Sequence, residues 1–402
     1  MSREELRTMP PFLEGLKPLL DEVARPRPGE PDTLTLARAA ALRILLREGL
    51  PDRTWESWRH SDPSAFWGRT MPAETARPFE MISAPEGLLW SGPRSSPDLD
   101  AGNLAIFPLE NRPLAALQVA LGDNASIARV PRGVRPEKPL VLRHRSPAPG
   151  CLGVPSFHLI MEEASKLDLI LENEPGLEDA LSLPALRVLL AKGSRLNILE
   201  RPAEAPSACR IGLFEARLEA GAKLGGDFIL PSGRWVRQDL RILLAGPGAE
   251  VSLRGLLLGR KDRHLDLHTF IDHAAPSCVS RQTFRGVAAD RATLVFNGEV
   301  LVREGAGGTD ADQAHRNLLL SDEAAVFSEP RLVIHHDDVR CTHGSATGPL
   351  DEEGVFYLRS RGIAEAEARK ILRRAFVSEV FPPDHPLGQT AEKWLEGLEE
   401  RP

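Results

Sequence analysis

Cys341 and His343 stand two residues apart within Asp337-Asp338-Val339-Arg340-Cys341-Thr342-His343-Gly344. On a strand, a soft thiol and an imidazole at that spacing project to the same side. Asp337 and Val339 share their parity, and His335 joins them if no bulge intervenes. Cys and His suit zinc or iron–sulfur centres, and carboxylates add harder oxygen ligands. Nearby residues do not supply a closed tetrahedral set, so the motif reads as half a site, completed by a partner. The plainer alternative makes Cys341 a small core residue and His343 the cap of a turn before Gly344.

A second constellation is His264-Leu265-Asp266-Leu267-His268-Thr269-Phe270-Ile271-Asp272-His273. Alternation puts His264, Asp266, His268 and Asp272 on one face and Leu265, Leu267 and Ile271 on the other. This is either the ligand set of a metal-dependent enzyme (His264, Asp266, His268) or the wet outer face of a coil. The polar run from Asp310 to Asn317 suits an interface and contains no cysteine. Other chemistries find little footing. There is no GxSxG elbow, no GxxxxGK[ST] loop, and no GxGxxG after a strand. A glycosidase carboxylate pair has nothing to locate it, and such enzymes are usually exported. The four cysteines, at 151, 209, 278 and 341, form no CxxC pair and are expected as reduced thiols.

The elements that must position these residues fit within 402 residues, enough for a large core and more than one folded unit. The chain is 42% hydrophobic and 27% charged, ordinary for a globular protein. A net charge of -7 argues against nucleic acid as the main partner. No apolar run is long enough to span a bilayer, and Met1 to Glu5 opens no apolar signal core. The cytoplasm is the expected location.

Residues 1–100 read as a helical region followed by a linker. One helix is predicted from Glu4 to Ala24, interrupted near Pro10-Pro11 and ended by the Pro-rich run at 25–29. A second carries Leu36, Ala39, Ala40, Leu42, Leu45 and Leu46 as its apolar stripe and stops at Gly49. Trp55, Trp58, Phe66 and Trp67 are expected to pack this cap onto the main body. Residues 72–100, rich in Pro, Gly and Ser, read as an irregular excursion. Residues 101–348 read as strands, with a small-residue signature before many of them: Glu163-Ala164-Ser165, Lys192-Gly193-Ser194, Ala220-Gly221-Ala222, Pro247-Gly248-Ala249. Copies recur at about 28 residues, a solenoid period. Stacked coils sharing one core favour a parallel β-helix, with a β-sandwich as the alternative. Residues 349–402 read as helices. Acidic residues 351–353 open the first and Gly362 ends it; the next carries Ile371, Leu372, Ala375, Phe376 and Val380 and closes at Pro382-Pro383. A last short helix carries Trp394, Leu395 and Leu398.

Residues Phe284 to Phe381 resemble the SufB/SufD family of iron–sulfur cluster assembly proteins. The matching residues include Phe284-Arg285-Gly286-Val287, Phe296-Asn297-Gly298, Thr309-Asp310-Ala311 and Arg316-Asn317-Leu318-Leu319-Leu320-Ser321. They continue through Asp337–Gly344 to Phe356-Tyr357-Leu358-Arg359-Ser360-Arg361-Gly362-Ile363. Upstream, Asp266-Leu267-His268-Thr269, His273-Ala274-Ala275-Pro276 and Val130-Pro131-Arg132-Gly133-Val134 also fit. Within the family the chain looks like the SufD branch: the 316–321 segment lacks the cysteine of the SufB scaffold, and Cys-x-His-Gly is SufD-like. Trp58-Arg59-His60-Ser61-Asp62 departs from the family's Trp-Lys/Arg-Tyr-Thr-Asp.

The resemblance implies a right-handed parallel β-helix between helical ends, and a non-catalytic subunit of a SufB–SufC–SufD complex. Its last strands would pair with a SufB-type scaffold. Its C-terminal helices, through Phe356, Tyr357, Leu358, Arg361 and Gly362, would dock a SufC-type ABC ATPase. ATP binding would dimerise the two ATPase subunits and shear the scaffold interface. His343, with Cys341 beside it, would contribute to a transient iron–sulfur cluster shared with the partner, and nothing would be tightly bound to the isolated chain. The family-level alternative is a SufB-like homodimeric scaffold.

Overall fold

The computed structural model describes residues 10–23, 25, 32–74, 79–91, 104–122, 125–175, 177–202, 207, 209–230 and 233–398. From 126 to 349 the chain winds as a parallel β-helix of about seven coils. Each coil lays one strand into each of two sheets, and each strand pairs in parallel with its equivalent one coil on. Ala185 pairs with Leu213, 28 positions later, and His264 with Thr293, 29 later. Near the end Thr293 pairs with Ala325, 32 later. This lengthening blurs the sequence repeat in its second half. Parallel pairing through the coils excludes the sandwich, whose sheets are antiparallel.

One corner of each coil explains the small-residue signature. Gly133, Ala164, Gly193, Gly221, Gly248, Ser277 and Gly308 all adopt left-handed φ values of 58–71°. Side chains resist this region, so glycine dominates the column. Each donates its backbone N–H to a carbonyl one coil on, as Ala164 does to Lys192 at 3.0 Å and Gly308 to Asp338 at 2.8 Å. The next residue turns inward beneath the corner; it is Val134 at the first corner and small at the others. Ser165, Ser194, Ala222, Ala249, Cys278 and Thr309 fill these places, all buried. The Ser165 and Ser194 hydroxyls donate back to carbonyls at 2.6 and 2.7 Å. Cys278 is therefore a packing residue, and burial pushes its thiol up, away from the reactive thiolate.

Above and below these corners the inward positions are apolar, Leu, Phe and Val predominating, and form one continuous core. The first end of that core is covered. Glu80–Ser83 pairs antiparallel with Leu140–His144, and Leu89–Ser91 with Ser126–Val130. These covering strands come from the stretch that composition reads as an irregular excursion; residues 75–78 and 92–100 of it lie outside the described residues. At the other end, among the described residues, Ala325–Ile334 and Val339–Pro349 each pair on one side only.

Two groups of helices flank the solenoid. The N-terminal group is α1 (Pro11–Val23), α2 (Asp32–Glu48), α3 (Ser64–Trp67) and α4 (Pro113–Leu121). The expected residues 4–9, 24 and 26–29 of the first helix and its stop lie outside the described residues. α2 is rotated from the expected stripe: Leu34, Arg38, Ala41 and Leu45 are buried, while Leu36 is 63% exposed. Its apolar residues surround the axis, so counting them does not set the rotation, and the Arg38 stem serves the buried face. The aromatic cluster packs the cap onto the coils as expected. Trp58 stacks 6.4 Å from Trp235, Phe66 meets the same ring edge-on at 5.4 Å, and Phe12 meets Trp67 at 4.8 Å.

The C-terminal group is α5 (Glu352–Ser360), α6 (Glu365–Ser378) and α7 (Pro386–Glu396). Asp351 caps α5 by accepting from Glu353 N–H at 3.1 Å, and Gly362 ends it at φ +86°. These helices share a core with the outer face of the second sheet, where Ile229, Leu256, Val287 and Leu318 meet Val377, Phe381, Leu387 and Trp394. The expected face of α6 holds in part: Leu372, Phe376 and Val380 pack into this core. Ala368 and Val377 are buried within it, whereas Ile371 and Ala375 are exposed. Arg285 fixes this rotation by donating to the Phe376 carbonyl and pairing with Glu379.

Where the cap meets the first sheet, Glu215 is fully buried between Arg112, at 2.6 Å, and Arg187, at 3.0 Å. Burial alone would raise its carboxyl pKa, but the two guanidinium groups outweigh burial and hold it below the usual value. Glu215→Leu strands Arg187, itself 2% exposed, as a buried unpaired cation. The expected cost is about 3–5 kcal/mol, read as a lowered urea midpoint at unchanged m-value.

Candidate functional site

The solenoid interior changes character at its uncovered end. One inner ladder runs Leu253, Gln282, Gln313, His343. The next runs Gly255, Phe284, His315, Ser345, and the third Leu257, Gly286, Asn317, Thr347. Apolar positions give way to amides, imidazoles and hydroxyls within two coils. His315 stacks on Phe296 at 4.1 Å, and its Nδ1 lies 2.8 Å from Ser328 Oγ. Ser328 Oγ is 2.7 Å from Ser345 Oγ, and Asn317 Nδ2 donates to Thr347 Oγ1 at 3.2 Å. Burial pushes the His315 pKa down to about 3, so its ring is neutral.

This network is incomplete. Both polar atoms of the Gln282 and Gln313 side chains, His315 Nε2 and Asn317 Oδ1 are buried without a hydrogen-bond partner among the described residues. Each such group costs about 1–3 kcal/mol unless water or a ligand satisfies it. Leucine at these positions would seal the core as it does in earlier coils. The end of the helix is instead built for polar contents.

Cys341 and His343 lie at this rim, on the strand Val339–Pro349. They share the inward parity: Cys341 is half-buried against the core, and His343 stands beside Gln313 and is exposed. Burial pushes the Cys341 thiol up, so it favours the thiolate only where a cation compensates. The expected extension of this set to Asp337 and His335 fails. The ladder begins at Val339; Asp337 lies in the preceding turn, its carbonyl accepting from Val339 N–H at 3.0 Å, and His335 closes the neighbouring sheet by donating its N–H to Val302. On the opposite parity, Arg340 and Arg281 both reach Asp310 Oδ2, at 3.0 and 2.6 Å. Among the described residues no three metal-ligating side chains converge.

The His264–His273 strand is occupied by internal partners. Asp266 is fully buried, 2.9 Å from His268 Nε2 and 3.3 Å from Arg237. Burial would raise its carboxyl pKa, yet His268 and Arg237 outweigh burial and hold it well below the usual range. His264 is taken up by Ser61 Oγ at 2.7 Å and by the Trp235 ring, and Asp272 by Arg303 at 2.7 Å. The face expected to be wet is covered by the N-terminal cap. On the C-terminal helices, Phe356 is 72% and Tyr357 58% exposed, with Arg361 over the Tyr357 ring at 5.1 Å. Leu358 turns the other way and packs into the helix core.

The polar column was within reach of sequence reasoning only through register. The run Asp310 to Asn317 alternates, but that Gln313 and His315 face inward follows from pairing with Gln282 and Phe284, 31 residues earlier.

The chain is a parallel β-helix flanked by helices, with polar residues lining the end whose last strands pair on one side only among the described residues. The comparisons place that fold in a family. Residues 144–376 match the family model for the SUF system FeS cluster assembly, SufBD core domain. Iron–sulfur cluster assembly protein SufD of Escherichia coli is 30% identical over 270 residues, 66% of this chain and 64% of that protein. An iron–sulfur cluster assembly SufBD family protein of Mycobacterium tuberculosis is 29% identical over 67% of this chain and 69% of its own length. SufD of Bacillus subtilis is 31% identical over 137 residues, 34% of this chain and 31% of that protein. The chain thus belongs to the SufB/SufD family of iron–sulfur cluster assembly proteins.

Proposed function

We propose that this chain is a non-catalytic, SufD-type subunit of a SufB–SufC–SufD complex, and that it contributes His343 and Cys341 to a site where a nascent iron–sulfur cluster forms. One observation carries the reading: two strands of 10 and 11 residues, each paired on one side only among the described residues, end the solenoid at the rim that holds His343. Such edges are templates for strand addition. A SufB-type scaffold with a matching edge would extend both sheets and close the polar column. The cluster is cargo, built between the subunits and passed on, with the missing thiolate supplied by the scaffold. Energy would come from a SufC-type ATPase, since this chain has no phosphate-binding loop. The reaction is placed in the cytoplasm.

The ATPase is assigned to α5 and the start of α6, where Phe356, Tyr357 and Arg361 share exposed surface and Gly362 sets the turn. Deleting residues 351–382 would also bare Ile229, Leu256 and Val287, so point changes make the cleaner test. Phe356→Asp with Tyr357→Asp should abolish co-purification of the ATPase while leaving the thermal midpoint of the isolated chain unchanged. Retained binding would move the contact elsewhere.

A second reading has the same edges pairing with another copy, as a homodimeric scaffold. Molar mass with and without the SufB-type partner separates them: a dimer that persists in the partner's presence favours self-assembly.

A further inference from the structure

Across the solenoid interior, the ladder Leu253, Gln282, Gln313, His343 faces a second one on the first sheet. That ladder runs Leu240, Thr269, Gly298, Pro330. Gln313 spans the gap between them: its carboxamide occupies the space where a Cβ on Gly298 would stand. Glycine at 298 is what gives the amide its seat. Because Gln282 pairs with Gln313 and Thr269 with Gly298, Gln282 faces Thr269 one coil deeper. Leu253 and Leu240 close the column beneath them.

Gln282, Gln313 and Thr269 are 0%, 1% and 3% exposed. The Thr269 hydroxyl and both polar atoms of each amide have no partner among the described residues. With leucine below, this file of unpartnered groups leads to the rim, where the next residue on the ladder is His343.

Paired residues on neighbouring strands stand about 4.8 Å apart. From that spacing, a tilt of either side chain brings an amide oxygen and an imidazole N–H to hydrogen-bond distance. Gln282 is two spacings from His343, about 10 Å, and out of reach. The amide also suits the imidazole in charge. A neutral ring that binds a metal through one nitrogen needs an acceptor for the N–H on the other, and a carboxamide oxygen supplies it without adding charge. In the isolated chain His343 is exposed; a partner strand laid on the rim would turn its ring over the Gln313 amide.

We infer, on the reading of His343 as a contributor to the shared cluster site, that Gln313 is its positioning residue. When a partner strand closes the rim, the Gln313 amide oxygen accepts the N–H of the ring nitrogen that faces the column. This fixes the tautomer and leaves the lone pair of the other nitrogen toward the shared site.

Cobalt(II) titrated into the complex of this chain with its SufB-type partner tests this, with the absorbance of the bound metal as the signal. His343→Ala should weaken binding about tenfold or more. Gln313→Met keeps the length of the side chain, removes both polar atoms, and should also weaken binding about tenfold. Gln282→Met, one coil deeper, should stay within about twofold of the unsubstituted chain. Cluster formation should fall in the same order. The urea midpoint of the isolated Gln313→Met chain should be unchanged or raised, since two buried unpartnered atoms are removed. If His343→Ala weakens binding and Gln313→Met does not, Gln313 has no positioning role and His343 keeps its own. Equal weakening by Gln313→Met and Gln282→Met also overturns the inference, because the column then acts through its packing and not through one hydrogen bond. Binding that His343→Ala leaves unchanged removes the reading of His343 itself, and the role of Gln313 with it. Should Gln313→Met fail to fold, Gly298→Ala, whose methyl takes the seat of the amide, decides by the same criterion.

Discussion

His343→Ala is expected to leave the chain folded and in its complex while lowering cluster formation by about tenfold or more. The two halves of that expectation have separate physical grounds. His343 is exposed and makes no hydrogen bond among the described residues, so its loss should cost the fold less than about 0.5 kcal/mol. Its position is nonetheless determined: the ladder pairs it with Gln313, and its parity points it toward the end of the polar column. In a sheet extended by a partner strand, that parity turns the imidazole into the shared interior. Cys341→Ser should act differently. The thiol is half-buried against the core, so a hydroxyl there costs packing as well as a soft donor. His335→Ala is the control, because His335 is exposed and lies off the ladder. Cluster formation measured by absorbance on the reconstituted complex reads all three. Normal cluster formation with His343→Ala would remove this residue from the site.

How much of this could be read beforehand depended on whether the constraint was local. The corner signature was legible because left-handed φ admits few residues, and because the position after it is small at every corner but the first. The shared parity of Cys341 and His343 followed from alternation. What alternation does not supply is the neighbour. Asp266 looked solvent-facing because its strand alternates, yet Arg237 and His268 bury it beneath a cap folded from residues far earlier in the chain. The rotation of α2 was equally non-local, since an alanine-rich helix offers several faces and its packing partner chooses one. The polar column needed exact coil register, which insertions of two or three residues in the later coils conceal.

Acid should unfold this chain before its carboxylates titrate. Among the histidines buried in or beside the solenoid core, burial drives three pKa values down furthest: His144 to about 3, His273 to about 4 and His315 to about 3. In the unfolded chain the ordinary value is near 6.5. Above that pH the rings are neutral in both states and the native contacts are fully in place. Below it the unfolded chain takes up protons that the folded chain refuses, so stability falls with pH until the folded values are reached. Each ring contributes about 1.4 kcal/mol per pH unit across the window from about 6 to 4.5, and three together about 4 kcal/mol per unit. The depressed carboxyls of Asp266 and Glu215 act below that window, since unfolded Asp and Glu hold protons only near and below pH 4.5. Urea midpoints at pH 7, 6 and 5 should therefore drop steeply between the last two. His273→Gln should flatten the slope by about a third, because Ser280 Oγ, 2.9 Å from the imidazole, can bond a side-chain amide that does not titrate. A midpoint that stays level down to pH 5 would mean the buried rings are already protonated in the native state, each paired with an anion or water that the described residues do not supply.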